Sequence, residues 1–170
     1  MNFENNVFSH SNRLKIEFLD YPGLLQAYCR TDYCIEYAGE HFNIQIGQVS
    51  EEADKLLHHI LQNNPSPKGI ALIGAENPHN EKLSPKANAK RHEAFKNLLY
   101  DAGLWLADGE GRAQSENPEG QIHSERFCVA GPVSLKQAIA LSQGQQQVAF
   151  VYVLACTPAQ LHITGRVSLD

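Results

Sequence analysis

Ile70-Ala71-Leu72-Ile73-Gly74-Ala75-Glu76-Asn77-Pro78-His79-Asn80-Glu81-Lys82-Leu83-Ser84-Pro85-Lys86-Ala87-Asn88-Ala89-Lys90-Arg91-His92 is the stretch on which the reading of this chain turns. Gly69 to Ala75 is a short apolar run, the pattern of a strand covered on both faces. A polar loop follows, and Ser84-Pro85 starts a helix: serine caps free N–H groups, and proline tolerates the first helical position. In open sheets this layout puts loop and helix start at one crevice, where ligands bind.

Outward from this segment the pattern alternates between strand and helix. Leu24 to Cys29 reads as a short helix, and Thr31 to Tyr37 with His41 to Ile46 reads as a hairpin turning at Ala38-Gly39-Glu40. Ser50-Glu51-Glu52 opens a helix with apolar positions at Ala53, Leu56, Leu57, Ile60 and Leu61, and the loop Asn63 to Pro67 ends it. His58 and His59 fall near its exposed side. Leu104 to Ala107 is strand-like, and residues 108–124 read as a long acidic loop. Arg126 to Ala130 resumes a strand, Ser134 with Gln137 forms a capping box, and Gly144 closes that helix. Gln147 to Ala155 and Gln160 to Ile163 form a closing strand pair. The expected fold is α+β (mixed α/β): one compact domain over residues 13–170, a mixed central sheet with an antiparallel start, and three to four packed helices. Leu14, Ile16, Phe18 and Leu19 begin its apolar pattern, after a flexible arm at 1–12.

Composition narrows the function classes. A chain of 170 residues, 42% hydrophobic and 19% charged, is built like an ordinary globule that buries roughly 70% of its unfolded surface. A formal charge of -5 disfavours nucleic acid and anionic membrane as partners. The start lacks a secretory pattern and no run is long enough to span a bilayer, so a cytoplasmic protein is expected. Cys29, Cys34, Cys128 and Cys156 contain no C-x-x-C pair and read as free core thiols. Neither G-x-x-x-x-G-K-[ST] nor G-x-G-x-x-G occurs, since Gly109-x-Gly111 opens the acidic loop; ATP-dependent chemistry is disfavoured.

At 100° per residue, Phe95, Leu98, Leu99 and Ala102 share a helix face that extends back through Asn88 and Arg91, with His92 at its edge, while Lys86, Lys90 and Glu93 face solvent. An inward guanidinium needs a carboxylate, a ligand anion or a cleft mouth. The carboxylates within reach are Glu76 and Glu125. The candidate ligand-binding residues are therefore Asn77, Asn88, Arg91 and His92, holding a small anionic metabolite or nucleotide-like ligand, with Glu125 as the candidate general base. The competing reading has Arg91 bridged to a glutamate and Asn77-Pro78 forming a turn in a noncatalytic module that contacts a protein partner.

His79, His92, His123 and Glu125 are the residues a metal site would draw on, but their spacing has no helical H-x-x-x-H; surface histidines are the default, and neither metal nor cofactor is expected. Cys128, in an apolar strand, reads as inert filling rather than a nucleophile. The acidic loop, with Asp108, Glu110, Glu116, Glu119 and Glu125 against Arg112, reads equally as a charged lid facing Lys82, Lys86, Lys90 and Arg91 or as a disordered, solvating loop.

Asn77-Pro78, Leu83-Ser84, Asn88 and Arg91, with Ala27 to Tyr33, Glu125-Arg126-Phe127 and Gln147-Val148-Ala149-Phe150, resemble the bacterial family catalogued as domain of unknown function 3293, over about Leu24 to Leu161. The chain departs from that pattern at Gly74-Ala75-Glu76, where the family has Thr-Ala and an aromatic, and after Glu125, where it has a serine. The resemblance implies a compact bacterial α-and-β domain and brings no established activity.

Overall fold

The computed structural model describes residues 22–61, 68–113 and 124–164. The N-terminal arm, the apolar positions Leu14 to Leu19, the loop at 63–67, and His123 with the acidic stretch 114–123 lie outside the described residues.

Helix α1 (Pro22–Cys29) leads into a hairpin of β1 (Thr31–Tyr37) and β2 (Glu40–Ile44), and α2 (Glu51–Leu61) follows. Next come β3 (Gly69–Gly74), α3 (Pro85–Asp101), β4 (Trp105–Ala113), β5 (Ser124–Val133), α4 (Leu135–Gly144), β6 (Ala149–Val153) and β7 (Gln160–Ile163). The helix starts form as their sequences dictate. Ser50 accepts from the Ala53 N–H at 3.1 Å, Ser84 accepts from Ala87, and Ser134 with Gln137 closes both halves of the capping box.

The seven strands form one sheet in the order β2-β1-β4-β5-β3-β6-β7. Every strand pair is antiparallel, which corrects the expected mixed sheet. The reason lies in the crossovers. Helix α3 joins β3 to β4, which run the same way but have β5 between them, and α4 joins β5 to β6 around β3. A helical connection fixes strand direction, not adjacency. Among the described residues the one parallel element is a single bridge, Ile46 to Ala159. It is reinforced by Gly47 N–H donating to the Ala159 carbonyl at 2.8 Å and Ala159 N–H to the Gln48 carbonyl at 3.1 Å. These bonds tie the chain after β2 to the start of β7, so the sheet curls into a half-barrel.

Alternation along the strands divides the core. Ile70 and Leu72 of β3, Phe127 and Val129 of β5, and Val151 and Val153 of β6 face the concave side, with Leu56 and Leu57 of α2 among them. Ala71, Ile73, Cys128, Ala130, Phe150 and Tyr152 face the convex side under Phe95 and Leu99 of α3 and Ala138 of α4. Residues 108–113, expected in a loop, belong to β4, paired with both β1 and β5. Gly109 explains the difference: a Cβ there would overlap the Phe127 ring and lie 2.9 Å from the Cys34 carbonyl oxygen. The glycine is a seat for an aromatic ring on the neighbouring strand rather than a turn. Cys29 and Cys156 are exposed and Cys128 is buried, so two of the four thiols leave the expected core.

On β7, His162 lies opposite Phe150, stacked with its centroid 5.3 Å away, and is 5% exposed. Burial lowers its pKa below the usual imidazole value, so the unfolded chain takes up the proton first. Stability from this site is complete above about pH 6.5, the free imidazole value, and is lost as pH falls through the lower folded value. Urea unfolding should show declining stability below that pH, and His162→Gln should flatten the decline; an unchanged slope would refute the assignment.

Candidate functional site

The C-terminal end of β3, the start of β5 and the turn before β6 meet at one end of the sheet, because Gly74 pairs with Phe127 and Leu72 with Val151. At this end a cleft of 470 Å³ opens, lined on one side by Tyr28, Tyr33, Leu72, Phe127 and Val151. Asn77, Lys82, Glu125 and Gln147 supply its polar side, and Gly111 forms part of the wall. The Tyr33 and Phe127 rings pack at 5.9 Å, tilted by 60°, and the Tyr33 hydroxyl donates to the Tyr28 carbonyl at 3.3 Å. Burial, and secondarily the Glu125 charge, raise the Tyr28 phenol above its ordinary value. Burial leads for Tyr33 too, followed by its neighbours Tyr28 and Cys29. Both phenols therefore remain protonated donors rather than bases.

Asn77 is the hub of the polar side. Its Nδ2 donates to Glu125 Oε1 at 2.8 Å, while its Oδ1 accepts from the Leu83 N–H at 3.1 Å and from Asn88 Nδ2 at 2.9 Å. The Asn88 side chain returns a bond, accepting from the Asn77 N–H at 3.0 Å. The Asn77-Pro78 turn thus forms with local backbone bonding and also reaches a strand 48 residues away. Its backbone is left-handed at Asn77 (φ 47°), His79 (φ 54°) and Asn80 (φ 61°). Such conformations cost on the order of 1–3 kcal/mol each for side-chain-bearing residues, least for asparagine, and persist where surrounding contacts hold them. Here the His79 N–H donates to the Gln146 carbonyl at 2.8 Å, and Gln147 Nε2 donates to the Glu76 carbonyl at 2.9 Å.

Of the expected site residues, Asn77, Asn88 and Glu125 are brought together. Arg91 and His92 are not. Arg91 forms neither the expected glutamate bridge nor a wall of the cleft: its Nε donates to the Ala75 carbonyl at 2.7 Å and its Nη2 to the Gln145 carbonyl at 2.9 Å. Gln145 caps the C-terminus of α4, where free carbonyls favour a cation. Glu76 instead pairs with Arg126 at 2.7 Å. Arg91→Ala takes the side-chain donor from the Ala75 carbonyl and leaves the Gln145 carbonyl with the 3.4 Å bond from Gln147 Nε2, and should cost about 2 kcal/mol; denaturant titration checks this, and Arg91→Lys should recover only part, because one ammonium cannot fill both positions. Full stability in the alanine variant would contradict the assignment.

His92 lies at the middle of the buried stripe, not its edge, since α3 buries Asn88, His92, Phe95 and Leu99, whereas Leu98 is 50% exposed. It faces a second cluster on the convex side of the sheet. Asp108 of β4 is directly opposite Cys128 of β5. His92 Nε2 is 3.3 Å from Asp108 Oδ1, and Lys96, one turn along α3, reaches Oδ2 at 2.7 Å. Trp105 Nε1 donates to Oδ1 at 3.4 Å, and the Lys96 ammonium lies 4.9 Å from the Trp105 ring centroid. Burial, with a smaller contribution from the Asp108 charge, pushes the Cys128 thiol up to about 12, so at neutral pH it is a protonated, unreactive thiol.

The cleft residues that sequence reading missed are Tyr28, Tyr33, Phe127, Lys82 and Gln147. Their signal was available in part: Tyr33 and Ile35 on β1, and Phe127 and Val129 on β5, alternate as one face. That the shared face stays open at one end depends on the curl of the sheet. No helix among the described residues is long and apolar enough to cross a membrane. Comparison with protein-family models, curated proteins and solved structures returns no match.

Proposed function

We propose that this protein binds a small metabolite in the concave cleft, with a flat apolar body against Tyr33 and Phe127 and hydroxyl or amine donors at Glu125. An anionic tail would lie at Lys82, as in a nucleotide-like ligand. The observation that carries the reading is the meeting of an aromatic wall and a bonded polar cluster in one cleft of 470 Å³, within the range of small-molecule sites. Asn77 fixes one oxygen of Glu125, which pre-orients the carboxylate for a ligand. Glu125 is the sole carboxylate among the described cleft-lining residues, so a catalytic version of the site rests on Glu125 as general base without a carboxylate partner. The anion-holding role expected of Arg91 passes to Lys82. We keep the resemblance to the domain of unknown function 3293 family as part of this proposal; it assigns no activity.

The test is a thermal-shift screen with AMP, adenosine and aromatic carboxylates as probes. At a hundred times Kd a bound probe stabilises by about 2.7 kcal/mol. Gly111→Leu should abolish that shift, because a Cβ at 111 already lies 3.2 Å from Thr31 Cγ2 and the rest of the leucine projects into the cleft. Glu125→Gln should weaken it, and Arg91→Lys should leave it. A shift that survives Gly111→Leu would refute the location. Silence across the panel would favour the second reading, a noncatalytic interaction module, for which the observation is Tyr100, 69% exposed at the end of α3 with its ring 6.4 Å from that of Trp105.

A further inference from the structure

We propose that His92, Asp108 and Cys128 form a binding site for one divalent transition-metal ion of the zinc class, separate from the concave cleft. One donor atom from each of these residues lies within 4.8 Å of the other two. Imidazole, carboxylate and thiolate together suit zinc and its neighbours rather than magnesium or calcium, which prefer oxygen. Ligands on a tetrahedral zinc stand roughly 3.3–3.6 Å apart, given metal–ligand distances of about 2.0–2.3 Å. His92 Nε2 and Asp108 Oδ1 already have that separation at 3.3 Å. Cys128 Sγ is 4.0 Å from Asp108 Oδ1 and within 4.8 Å of the imidazole donor, so a side-chain movement of about 1 Å brings all three donors onto one ion.

The three residues sit on regular elements packed against one another. Asp108 and Cys128 are a cross-strand pair in the middle of the sheet, and His92 is on the helix packed over them. Three protein ligands leave a fourth position open, the pattern of exchangeable rather than closed structural sites. Lys96 holds the other carboxylate oxygen at 2.7 Å, fixing Asp108 with Oδ1 turned to the ion. Access comes from an open groove of 700 Å³ that includes His92, Asp108, Glu36, Glu93 and Glu110. Its two arginines are paired, Arg112 with Glu110 and Arg126 with Glu76, so the groove presents net negative charge to an approaching cation. Binding takes the thiol proton from Cys128 into solvent, so affinity rises with pH. It also places the ring proton of His92 on Nδ1, which is buried without a hydrogen-bond partner. Supporting partners of this kind are worth roughly 10–100-fold in affinity, so the site should bind more weakly than a fully supported one by that factor.

The reduced full-length chain is titrated with Zn²⁺ and, separately, with Co²⁺. One equivalent per chain and a thiolate-to-cobalt charge-transfer band are expected. Cys128→Ala should lose the band and weaken binding by more than about a hundredfold, beyond the loss of an outer partner. The triple variant Cys29→Ser, Cys34→Ser, Cys156→Ser should keep both. If Cys128→Ala does not fold, X-ray absorption on the zinc-loaded wild type decides, with one sulfur at about 2.3 Å and nitrogen or oxygen at about 2.0–2.2 Å expected. Absence of stoichiometric binding, a coordination shell without sulfur, or a band lost in the triple variant would overturn the proposal and leave the cluster a structural Lys96–Asp108–His92 brace.

Discussion

Gly109→Ala is expected to destabilise the protein by about 3 kcal/mol, the upper end of ordinary overpacking, and Gly109→Val by more. The new Cβ would occupy the position of the Phe127 ring and approach the Cys34 carbonyl. Phe127 is 5% exposed and packed on Tyr33, so the ring can yield only by giving up that packing and entering the cleft it lines, and the Cys34 carbonyl lies on the paired strand β1. Measured by urea denaturation, the cost should fall in a Phe127→Leu background, because a shorter side chain vacates part of that space. A coupling of about 1 kcal/mol or more between the two positions is expected for residues in direct contact. Additive losses would mean that Phe127 does not rest on Gly109, and that the aromatic wall of the cleft is not built as described.

Asn77→Ala carries the second large effect, again about 3 kcal/mol. The substitution leaves the Leu83 N–H and the buried Asn88 amide without their acceptor, each a penalty of about 1–3 kcal/mol that solvent access reduces. It also places alanine in a left-handed conformation. Asn77→Gly separates the two contributions, since glycine adopts that backbone freely and should recover about 1 kcal/mol. Equal stability of the alanine and glycine variants would show that backbone strain is not part of the cost. Full wild-type stability in both would show that the turn is held by something other than the asparagine network.

Much of the fold was legible where local chemistry decides it. The apolar run at Gly69 to Ala75, the serine caps at 50, 84 and 134, and the hairpin at Ala38-Gly39 each carry their instruction within a few residues. What was not legible depends on partners distant in sequence. Gly109 and Gly111 resemble a loop because glycine weakens a strand in isolation; only Phe127 and Thr31, brought alongside by pairing, give those positions a reason to be bare. The strand–helix–strand rhythm suggested parallel neighbours, and an intervening antiparallel strand cannot be read from rhythm alone. On α3 the inward stripe was located but rotated, so that Leu98 was placed inside and His92 at the rim. For Arg91 the need for a partner was correct in kind. The partners are two carbonyls, that of Ala75 just after β3 and that of Gln145 at a helix end 54 residues on, and no spacing rule identifies the second.

The candidate site divides along the same line. Asn77, Asn88 and Glu125 could be named from one segment and one distant carboxylate, and the geometry joins them. Arg91 and His92, named from the same helix, serve other places: one fastens two loops, the other sits over Asp108 and Cys128. A helix presents neighbouring residues to different neighbours, so proximity in sequence is a weak guide to membership of one site.

The most direct test of the central claim is an amide chemical-shift map of the ¹⁵N-labelled protein titrated with AMP and adenosine. The account predicts saturable shifts confined to the concave end of the sheet, at Tyr33, Gly111, Glu125, Phe127 and the 77–82 turn, and their loss in Gly111→Leu. Shifts centred elsewhere, or an unchanged response in that variant, would contradict it.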